Sequence, residues 1–162
     1  MSDGNRLSHL DAEGRARMVD VSGKPATARR AVAQGHLACS AETLQRVRDG
    51  NTPKGAVIST AELAGVIGGK RTSDLVPLCH PLPLTKLSVT ITPNDTLPGF
   101  LIEAEAKTTG PTGVEMEALT AVSIAALTLF DMLKAIDKSM TIGGIMVTGK
   151  TGGRSDLKSD RA

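Results

Sequence analysis

The sequence predicts an α+β fold in which helices cover one antiparallel sheet. Residues 86–92 and 100–107 each alternate between polar and apolar side chains, which is typical of half-buried strands. Between them, residues 94–99 contain the turn formers Asn, Asp, Pro and Gly, so the two segments predict a β-hairpin. Stretches with helical spacing lie on both sides of this hairpin. Helices interspersed with antiparallel strands indicate an α+β architecture, and a ferredoxin-like sandwich fits it.

Further strands and a short helix are predicted around the hairpin. Residues 18–21 and 28–39 are strand candidates, and residues 140–148 predict the last strand. Ser40 is a candidate N-cap for a short helix. That helix ends at Gly50, in the position that glycine favours after a helix.

Two longer helices are also predicted. A Thr-Pro pair at 52–53 marks the start of one, which continues to Gly68-Gly69, and a later start at Ser59 is the alternative. The pattern Thr112-x-x-Glu115 is a capping box, in which two side chains satisfy backbone N–H groups at a helix start. It opens a helix that extends to about Lys138.

The composition is that of one globular domain with an aliphatic core. The chain has 162 residues, of which 40% are hydrophobic but only 1% aromatic. Scarce aromatic side chains argue against binding of single-stranded nucleic acid, whose bases stack on aromatic rings. A net charge of +2 is too small for the basic surface of a duplex-binding protein. We therefore expect no nucleic-acid partner, and the charge fits a local basic pocket for a small phosphorylated ligand.

No cysteine-based metal site, disulfide framework or membrane segment is predicted. Cys39 and Cys79 lie far apart and form no Cys-x-x-Cys motif. Residues 1–20 are polar and lack the apolar core of a signal peptide. The most apolar segment, 118–130, is shorter than the roughly 20 residues that span a bilayer, so it predicts a buried helix. These features indicate a cytoplasmic protein without a membrane partner.

Three segments are distinguished along the chain. Residues 1–17 lack periodicity and are predicted to form a flexible N-terminal arm. Residues 18–150 are predicted to form a single catalytic domain, and residues 151–162 a Gly-rich mobile tail.

The segment Pro-Leu-Cys-His-Pro-Leu at 77–82 places a titratable group in a rigid apolar loop. Proline on both sides fixes the backbone around Cys79 and His80, so the imidazole is held in place. Such a histidine can act in binding or catalysis, or it can be a core residue that bonds a carbonyl group. From the residues alone, the second interpretation is favoured.

Two carboxylates open the predicted long helix. Glu115 is explained by the capping box, and a capping role is favoured for it. Glu117 has no such explanation, and its position near the helix N-terminus suits either a structural carboxylate or a site that meets a ligand. The two interpretations of Glu117 are evenly balanced.

Asp131, Lys134 and Lys54 are candidates for proton transfer. Asp131 and Lys134 lie three residues apart on one helix face, next to the apolar segment 124–130. Half-buried charges of this kind have perturbed pKa values and can transfer protons, whereas an exposed ion pair is the alternative. Lys54 near a predicted helix start opposes the helix dipole, and this unfavourable placement suggests a functional role.

The spacing of Glu117 and Asp131 has a consequence for the site. They are 14 residues apart, which at ~100° per residue returns to within about 40° of one helix face. The rise of ~1.5 Å per residue nevertheless separates them by about 21 Å. If both residues are catalytic, we expect an active site that is shared between subunits.

Residues 144–151 match the phosphate-binding P-loop pattern, which requires a loop followed by a helix. Residues 145–148 have the character of a strand, and the Gly-Gly-Arg-Ser sequence after them starts no helix. A P-loop nucleotide hydrolase is therefore rejected, although Lys150 and Arg154 flank glycines and could approach a phosphate.

Several distinctive motifs occur together in this chain. They are Met-Val-Asp-Val-Ser at 18–22, Lys-Gly at 54–55, Lys-Arg-Thr at 70–72, Asp-Leu-Val-Pro-Leu-Cys-His-Pro-Leu at 74–82, Thr-Gly-Val-Glu-Met-Glu-Ala-Leu-Thr at 112–120 and Asp-Met-Leu-Lys-Ala at 131–135. Through these motifs, over about residues 18–155, the chain resembles the MoaC family of molybdenum-cofactor biosynthesis. It departs from the family pattern at Pro111, usually Lys or Gln, and at Ala56, often acidic; neither position supplies a group to the expected chemistry.

The resemblance implies a lyase that acts by general acid/base catalysis. Its substrate would be (8S)-3′,8-cyclo-7,8-dihydroguanosine 5′-triphosphate, which it would convert to cyclic pyranopterin monophosphate with release of pyrophosphate. The resemblance also implies a ferredoxin-like protomer in a homohexamer, a trimer of dimers with active sites at subunit interfaces. No cofactor is implied, although Mg²⁺ could accompany the triphosphate.

The family's functional positions fall on particular residues of this chain. The resemblance makes Asp131 the general acid/base, with Lys134 and Lys54 as its partners. Substrate-binding positions fall on Leu78, Cys79, His80, Met116 and Glu117, with Glu115 close by, and basic positions that meet phosphates fall on Arg29 and Lys70. No metal ligand is implied. A non-catalytic ferredoxin-like ligand-binding module remains the alternative, and it would tolerate loss of Asp131 and Lys134.

Overall fold

The order of helices and strands follows the predicted α+β pattern in a computed structural model that describes residues 9–158. The elements are β1 (Thr27–Ala38), α1 (Ala41–Arg48), α2 (Val57–Lys70), α3 (Thr72–Leu75), β2 (Leu84–Asn94), β3 (Gly99–Gly110), α4 (Glu115–Leu133), β4 (Thr141–Thr151) and β5 (Leu157–Lys158). The arm and tail predicted at 1–17 and 151–162 extend into residues 1–8 and 159–162, which lie outside the described residues.

The sheet has five strands in the order β2-β3-β1-β4-β5, and every neighbouring pair is antiparallel. This arrangement confirms the α+β prediction and is consistent with a ferredoxin-like fold, and β2 with β3 forms the predicted hairpin. The start of β1 pairs with the ends of β3 and β4, at Thr27–Gly110 and Arg30–Thr151. The loop before α4 and the C-terminal segment therefore meet at one end of the sheet.

Helices α2 and α4 pack against each other and against the sheet. Glycines of α2 allow the close approach: a side-chain carbon at Gly65 would lie 2.8 Å from the Ala121 carbonyl oxygen. At Gly68 it would lie 2.5 Å from a side-chain carbon of Ile124. The core is aliphatic, as the composition predicts, apart from the fully buried Phe100.

Helix α4 carries the most apolar segment of the chain into this core. Its fully buried residues include Ala118, Ala121, Val122, Ala125, Ala126 and Leu129. By length and composition alone, α4 is the one helix within residues 9–158 that could cross a membrane. Half of its most apolar 18-residue stretch is buried inside the protein, as it is in the core helix of a folded domain. The buried helix predicted for 118–130 is thus confirmed.

The short helix α1 begins and ends as predicted. The Ser40 hydroxyl oxygen accepts a hydrogen bond from the Thr43 backbone N–H at 3.1 Å, so Ser40 is the N-cap. Gly50 follows the helix with a φ of 67°, a conformation that glycine adopts without steric cost.

The Thr-Pro signal at 52–53 does not start a helix, because a closed turn competes with it. The Thr52 hydroxyl donates to the Gly55 carbonyl at 2.6 Å, and the Gly55 N–H donates to the Thr52 carbonyl at 3.3 Å. Gly55 has a φ of 79°, which interrupts any helix at this point. Helix α2 begins at Val57, closer to the alternative start at Ser59. Lys54 therefore lies in the turn before the helix, and the predicted placement inside the helix start is wrong.

The capping box predicted at 112–115 does not form. Val114 is the N-cap of α4, and no side chain caps the helix. The carboxylate of Glu115 pairs with Lys150 instead, because the end of β4 lies beside the start of α4. The helix also ends at Leu133 rather than Lys138, since a tight turn follows it.

The prediction of a strand at 18–21 is also wrong. The backbone groups of this region form hydrogen bonds with side chains and not with a neighbouring strand. The Val19 carbonyl oxygen lies 2.7 Å from His80 Nε2, and the Ser22 N–H donates to the Asp20 carboxylate at 2.9 Å.

Candidate active site

An ion cluster of three residues lies at the C-terminal end of α4. Asp131 is in the last turn of the helix, and its Oδ1 atom is 2.7 Å from Lys134 Nζ. Lys54 comes from a distant part of the chain, and its Nζ atom lies 2.8 Å from Asp131 Oδ2 and 3.2 Å from the Asp131 backbone oxygen. The fold thus brings together the three residues predicted to be catalytic.

The turn that carries Lys54 is tied to α1. Besides the two hydrogen bonds that close the Thr52–Gly55 turn, the Asn51 N–H donates to the Arg46 carbonyl at 2.9 Å. The Arg46 side chain returns a bond from Nε to the Asn51 carbonyl at 3.3 Å. The position of Lys54 therefore depends on the position of α1.

The two lysines lower the pKa of Asp131 to about 2, through hydrogen bonds from Lys134 and Lys54 and through their charges. All three residues are exposed to solvent. The half-buried setting predicted for Asp131 and Lys134 is therefore wrong, and the alternative of an exposed ion pair is what the structure shows. A carboxylate with so low a pKa stays ionised near neutral pH and is a weak base. It becomes a better proton acceptor when a bound anion draws a lysine away, so the cluster can bind an anion and exchange protons.

A cavity of about 410 Å³ lies at the opposite end of α4. Five residues predicted to bind substrate line it, namely Leu78, Cys79, His80, Met116 and Glu117. The first three come from the proline-bounded loop, and the last two from the first turn of α4. The motifs at 74–82 and 112–120 therefore meet at one cavity.

His80 has features of both interpretations offered by the sequence. Its Nε2 atom is 2.7 Å from the Val19 carbonyl oxygen, as expected for a histidine with a structural bond. The half-buried ring also lines the cavity. A bond at one ring nitrogen orients the imidazole, which is what a binding or catalytic histidine requires.

Glu117 is a buried carboxyl group in the cavity wall, with 5% of the residue exposed. Burial raises its pKa, and the charge of Glu115 raises it further. Burial and the charge of Glu117 likewise raise the pKa of the Cys79 thiol. Glu117 therefore holds a proton more tightly than an exposed carboxyl does and can donate it within the cavity.

The other three predicted site residues are not among the residues that line this cavity within 9–158. Glu115 Oε1 lies 3.2 Å from Lys150 Nζ. The guanidinium of Arg29 donates to the carbonyls of Gly110 and Pro111, both at 3.3 Å, and so supports the loop before α4. Lys70 is exposed at the end of α2.

Seven cavity residues were not predicted from the sequence. They are His9, Val19, Val21, Lys24, Leu82, Thr112 and Arg154. Most come from segments near the two chain ends, which fold over the cavity. The motif at 18–22 is the available signal for the two valines, and Arg154 stands out only as a candidate for phosphate contact. Nothing in the sequence singles out Lys24.

The P-loop-like segment 144–151 forms most of β4, and the short strand β5 rather than a helix comes next within the described residues. This confirms the strand character predicted for 145–148. The segment therefore lacks the loop and helix that would cradle a phosphate.

The cavity and the ion cluster are separate partial sites in one chain. They lie at the two ends of α4, where Glu117 and Asp131 are separated by a rise of about 21 Å. No described residue belongs to both. Among residues 9–158, no group of three or more His, Cys, Asp or Glu residues is arranged to hold a metal ion.

The chain is similar to known proteins over most of its length. Residues 18–153 match the MoaC family. A protein of Cereibacter sphaeroides strain KD131 named cyclic pyranopterin monophosphate synthase is 58% identical over 149 residues, covering 92% of this chain and 94% of the relative. A protein of the same name from Nostoc sp. strain PCC 7120 is 58% identical over 149 residues, covering 92% of this chain and 89% of its own. The chain therefore belongs to the MoaC family.

Proposed function

We propose that the protein is an enzyme of molybdenum-cofactor biosynthesis that makes cyclic pyranopterin monophosphate. Its substrate is (8S)-3′,8-cyclo-7,8-dihydroguanosine 5′-triphosphate, and the second product is pyrophosphate. Membership of the MoaC family and 58% identity to relatives named cyclic pyranopterin monophosphate synthase support this activity. The observation that carries it is the contact of Lys54 with Asp131 across 77 positions of sequence, which assembles the expected acid/base group.

In this proposal, Asp131, Lys134 and Lys54 are the catalytic residues. The reaction opens the former imidazole ring, closes the liberated amine into a pyranopterin and forms a cyclic phosphate as pyrophosphate leaves. Each step moves a proton, and the last places negative charge on the leaving group. Two lysines beside one carboxylate suit these needs, because they stabilise phosphate charge while the carboxylate exchanges protons.

The cavity residues Leu78, Cys79, His80, Met116 and Glu117 bind the substrate in this proposal. Glu117 offers its carboxyl group to the substrate from the cavity wall, where burial raises its pKa. Arg29 and Lys70 meet the phosphates, and Glu115 supports the first turn of α4 through Lys150.

We also propose a homohexamer, a trimer of dimers, in which the cavity of one chain completes the ion cluster of another. The separation of the two partial sites along α4 supports this arrangement. Exposed apolar residues on the helical layer are available for subunit contacts. Leu63 and Ile67 lie four residues apart on α2, and Leu127 lies on α4. Most other apolar residues of α4 serve the protomer's own core.

The proposed enzyme works in the cytoplasm on a small molecule, without a nucleic-acid or membrane partner. No cofactor of its own is proposed, because ring opening, ring closure and phosphate cyclisation are proton-transfer and displacement steps. Mg²⁺ bound to the substrate triphosphate is compatible with the proposal.

The decisive experiment incubates the protein with the cyclised GTP derivative and measures pyrophosphate and the pterin product. Both should appear in equal amounts. Binding of the substrate without either product would instead indicate the non-catalytic ligand-binding module. Release of inorganic phosphate from GTP would indicate a nucleotide hydrolase.

A further inference from the structure

A buried carboxylate joins the two chain segments that form the ion cluster. Asp137 lies three residues beyond Lys134 and is 7% exposed. Its Oδ2 atom accepts hydrogen bonds from the Ser40 backbone N–H at 2.8 Å and from the Thr43 hydroxyl at 3.0 Å. Its Oδ1 atom accepts bonds from the N–H and the hydroxyl of Ser139, at 2.8 and 2.6 Å. Each carboxylate oxygen therefore accepts two hydrogen bonds.

These bonds keep Asp137 ionised. Burial alone would favour the neutral carboxyl, but the hydrogen bonds from Ser139, Ser40 and Thr43 outweigh it and hold the pKa well below its usual range. Hydrogen bonds to a charged acceptor are shorter and stronger than those between neutral groups. At neutral pH, the ionised Asp137 therefore forms strong hydrogen bonds with Ser40, Thr43 and Ser139.

Asp137 is connected to Lys54 through helix α1. Ser40 is the N-cap of α1, and Thr43 lies in its first turn, so Asp137 holds the start of this helix. The end of α1 is in turn bonded to the Lys54 turn through Asn51 and Arg46. A displacement of α1 would therefore displace Lys54.

Asp137 is connected to Asp131 and Lys134 through the end of helix α4. The Asp137 N–H donates to the Leu133 carbonyl at 3.1 Å, which continues the bonding of the last helical turn. Among the side-chain hydrogen bonds of residues 9–158, those of Asp137 and of Lys54 itself join segment 39–56 to segment 131–139. An exposed ion pair such as Lys54–Asp131 is too weak to hold two segments by itself.

We propose that Asp137 is a positioning residue that holds α1 against the end of α4 and so keeps Lys54 within hydrogen-bond distance of Asp131. This role adds to the proposed function, on which its catalytic meaning rests. The geometry that it predicts can be measured without turnover.

The test follows the pKa of Asp131 by NMR titration of full-length protein labelled with ¹³C at the aspartate carboxyl carbons. The set comprises wild type, Asp137→Asn, Lys54→Ala and the double variant. Asparagine keeps the shape of the side chain, but its amide nitrogen accepts no hydrogen bond. We expect Asp137→Asn to raise the Asp131 pKa from about 2 by roughly one unit, because Lys54 withdraws. The same change in the Lys54→Ala protein should have no further effect.

Two more variants separate positioning from general stability. Thr43→Val removes one of the four bonds and should give a smaller rise, which keeps the test usable if Asp137→Asn folds poorly. Thr108 is also buried, and its hydroxyl donates to the Pro83 carbonyl at 2.8 Å near the other end of β1. Thr108→Val removes this hydrogen bond and should leave the Asp131 pKa unchanged.

An unchanged Asp131 pKa in folded Thr43→Val and Asp137→Asn proteins overturns the proposal. So does an equal rise in the Lys54→Ala background, because the effect would not act through Lys54. Absence of pyrophosphate and pterin product from the wild-type protein would defeat the proposed function, whereas the pKa comparison would still decide the role of Asp137.

Discussion

Lys150 Nζ lies 3.2 Å from Glu115 Oε1, and this ion pair ties the end of β4 to the first turn of α4. The lysine of the P-loop-like segment is thus engaged with a carboxylate of its own chain. The Glu115 carboxylate also lies against Gly113, where a side-chain carbon would overlap it. Lys150 and Glu115 therefore support the loop that precedes α4.

We predict that neither the wild-type protein nor Lys150→Ala hydrolyses GTP, because the segment 144–151 does not form a P-loop. Phosphate release from GTP should stay at background for wild type and variant alike. Loss of the pair should cost less than about 1 kcal/mol of unfolding free energy, since both side chains are about a third exposed and solvent screens them. Urea unfolding measures this cost. A robust GTPase activity that disappears in the variant would restore the P-loop interpretation.

Lys54→Ala and Lys134→Ala should each abolish turnover without unfolding the protein. Both lysines contact Asp131, yet their side chains are about half exposed and contribute little to the core. Product formation and circular dichroism are measured on each variant. Lys86→Ala is the matched control, because Lys86 is equally exposed and also pairs with a carboxylate, that of Glu105. Near-normal rates for both cluster variants would contradict the catalytic assignment.

Local patterns predicted much of this fold. Alternation along β2 and β3 and the Ser40 cap depend on neighbouring residues, and both are present in the structure. The start of α2 and the cap of α4 were not predicted correctly. At the first, Gly55 adopts a positive φ inside a closed turn. At the second, Glu115 bonds Lys150, which only the paired strands bring close.

The candidate site shows the same limit. The spacing of Asp131 and Lys134 on one helix indicates that they are neighbours. The contact of Lys54 with Asp131, in contrast, depends on how α1 packs and on the Thr52–Gly55 turn that contains Lys54. The sequence contains no signal for Lys24 in the cavity wall, because its position results from the chain folding back over the loop at 78–80.

Glu105 should make the protein sensitive to acid. It bonds Lys86 and Arg30, and these bonds with the charge of Lys107 lower its pKa from 4.5 to about 2. Because the folded pKa is depressed, the stabilisation is fully present above about pH 4.5 and is lost as pH falls towards 2. It is on the order of 1 to 3 kcal/mol for this mostly buried carboxylate.

Urea unfolding at pH 7, 5 and 3 tests this expectation with Glu105→Gln. The variant should be less stable than wild type at neutral pH, and the difference should shrink at the lowest pH. Glu103→Gln is the control, because Glu103 lies exposed on the same strand and forms no ion pair among residues 9–158. A difference that does not change with pH would refute the contribution of Glu105.

The last prediction is that one active site collects residues from two chains. Glu117 and Asp131 lie at opposite ends of α4, about 21 Å apart along its axis, which is too far for one small-molecule site in one chain. Antiparallel packing of α4 from two chains around a two-fold axis would bring the cavity of each towards the ion cluster of the other. Glu117→Ala and Asp131→Ala proteins, each inactive alone, should then complement each other.

In a mixed dimer, one site carries both lesions and the other carries neither. After partial dissociation and random reassociation of equal amounts, half of the dimers are mixed, so about a quarter of wild-type activity should return. A mixture of Lys54→Ala with Asp131→Ala is the control, because both lesions fall in the same cluster and each site of a mixed dimer keeps one of them. Mass spectrometry verifies that mixed oligomers form. If they form and no activity returns in the Glu117–Asp131 mixture, each chain must work with its own two partial sites, and the shared site is refuted.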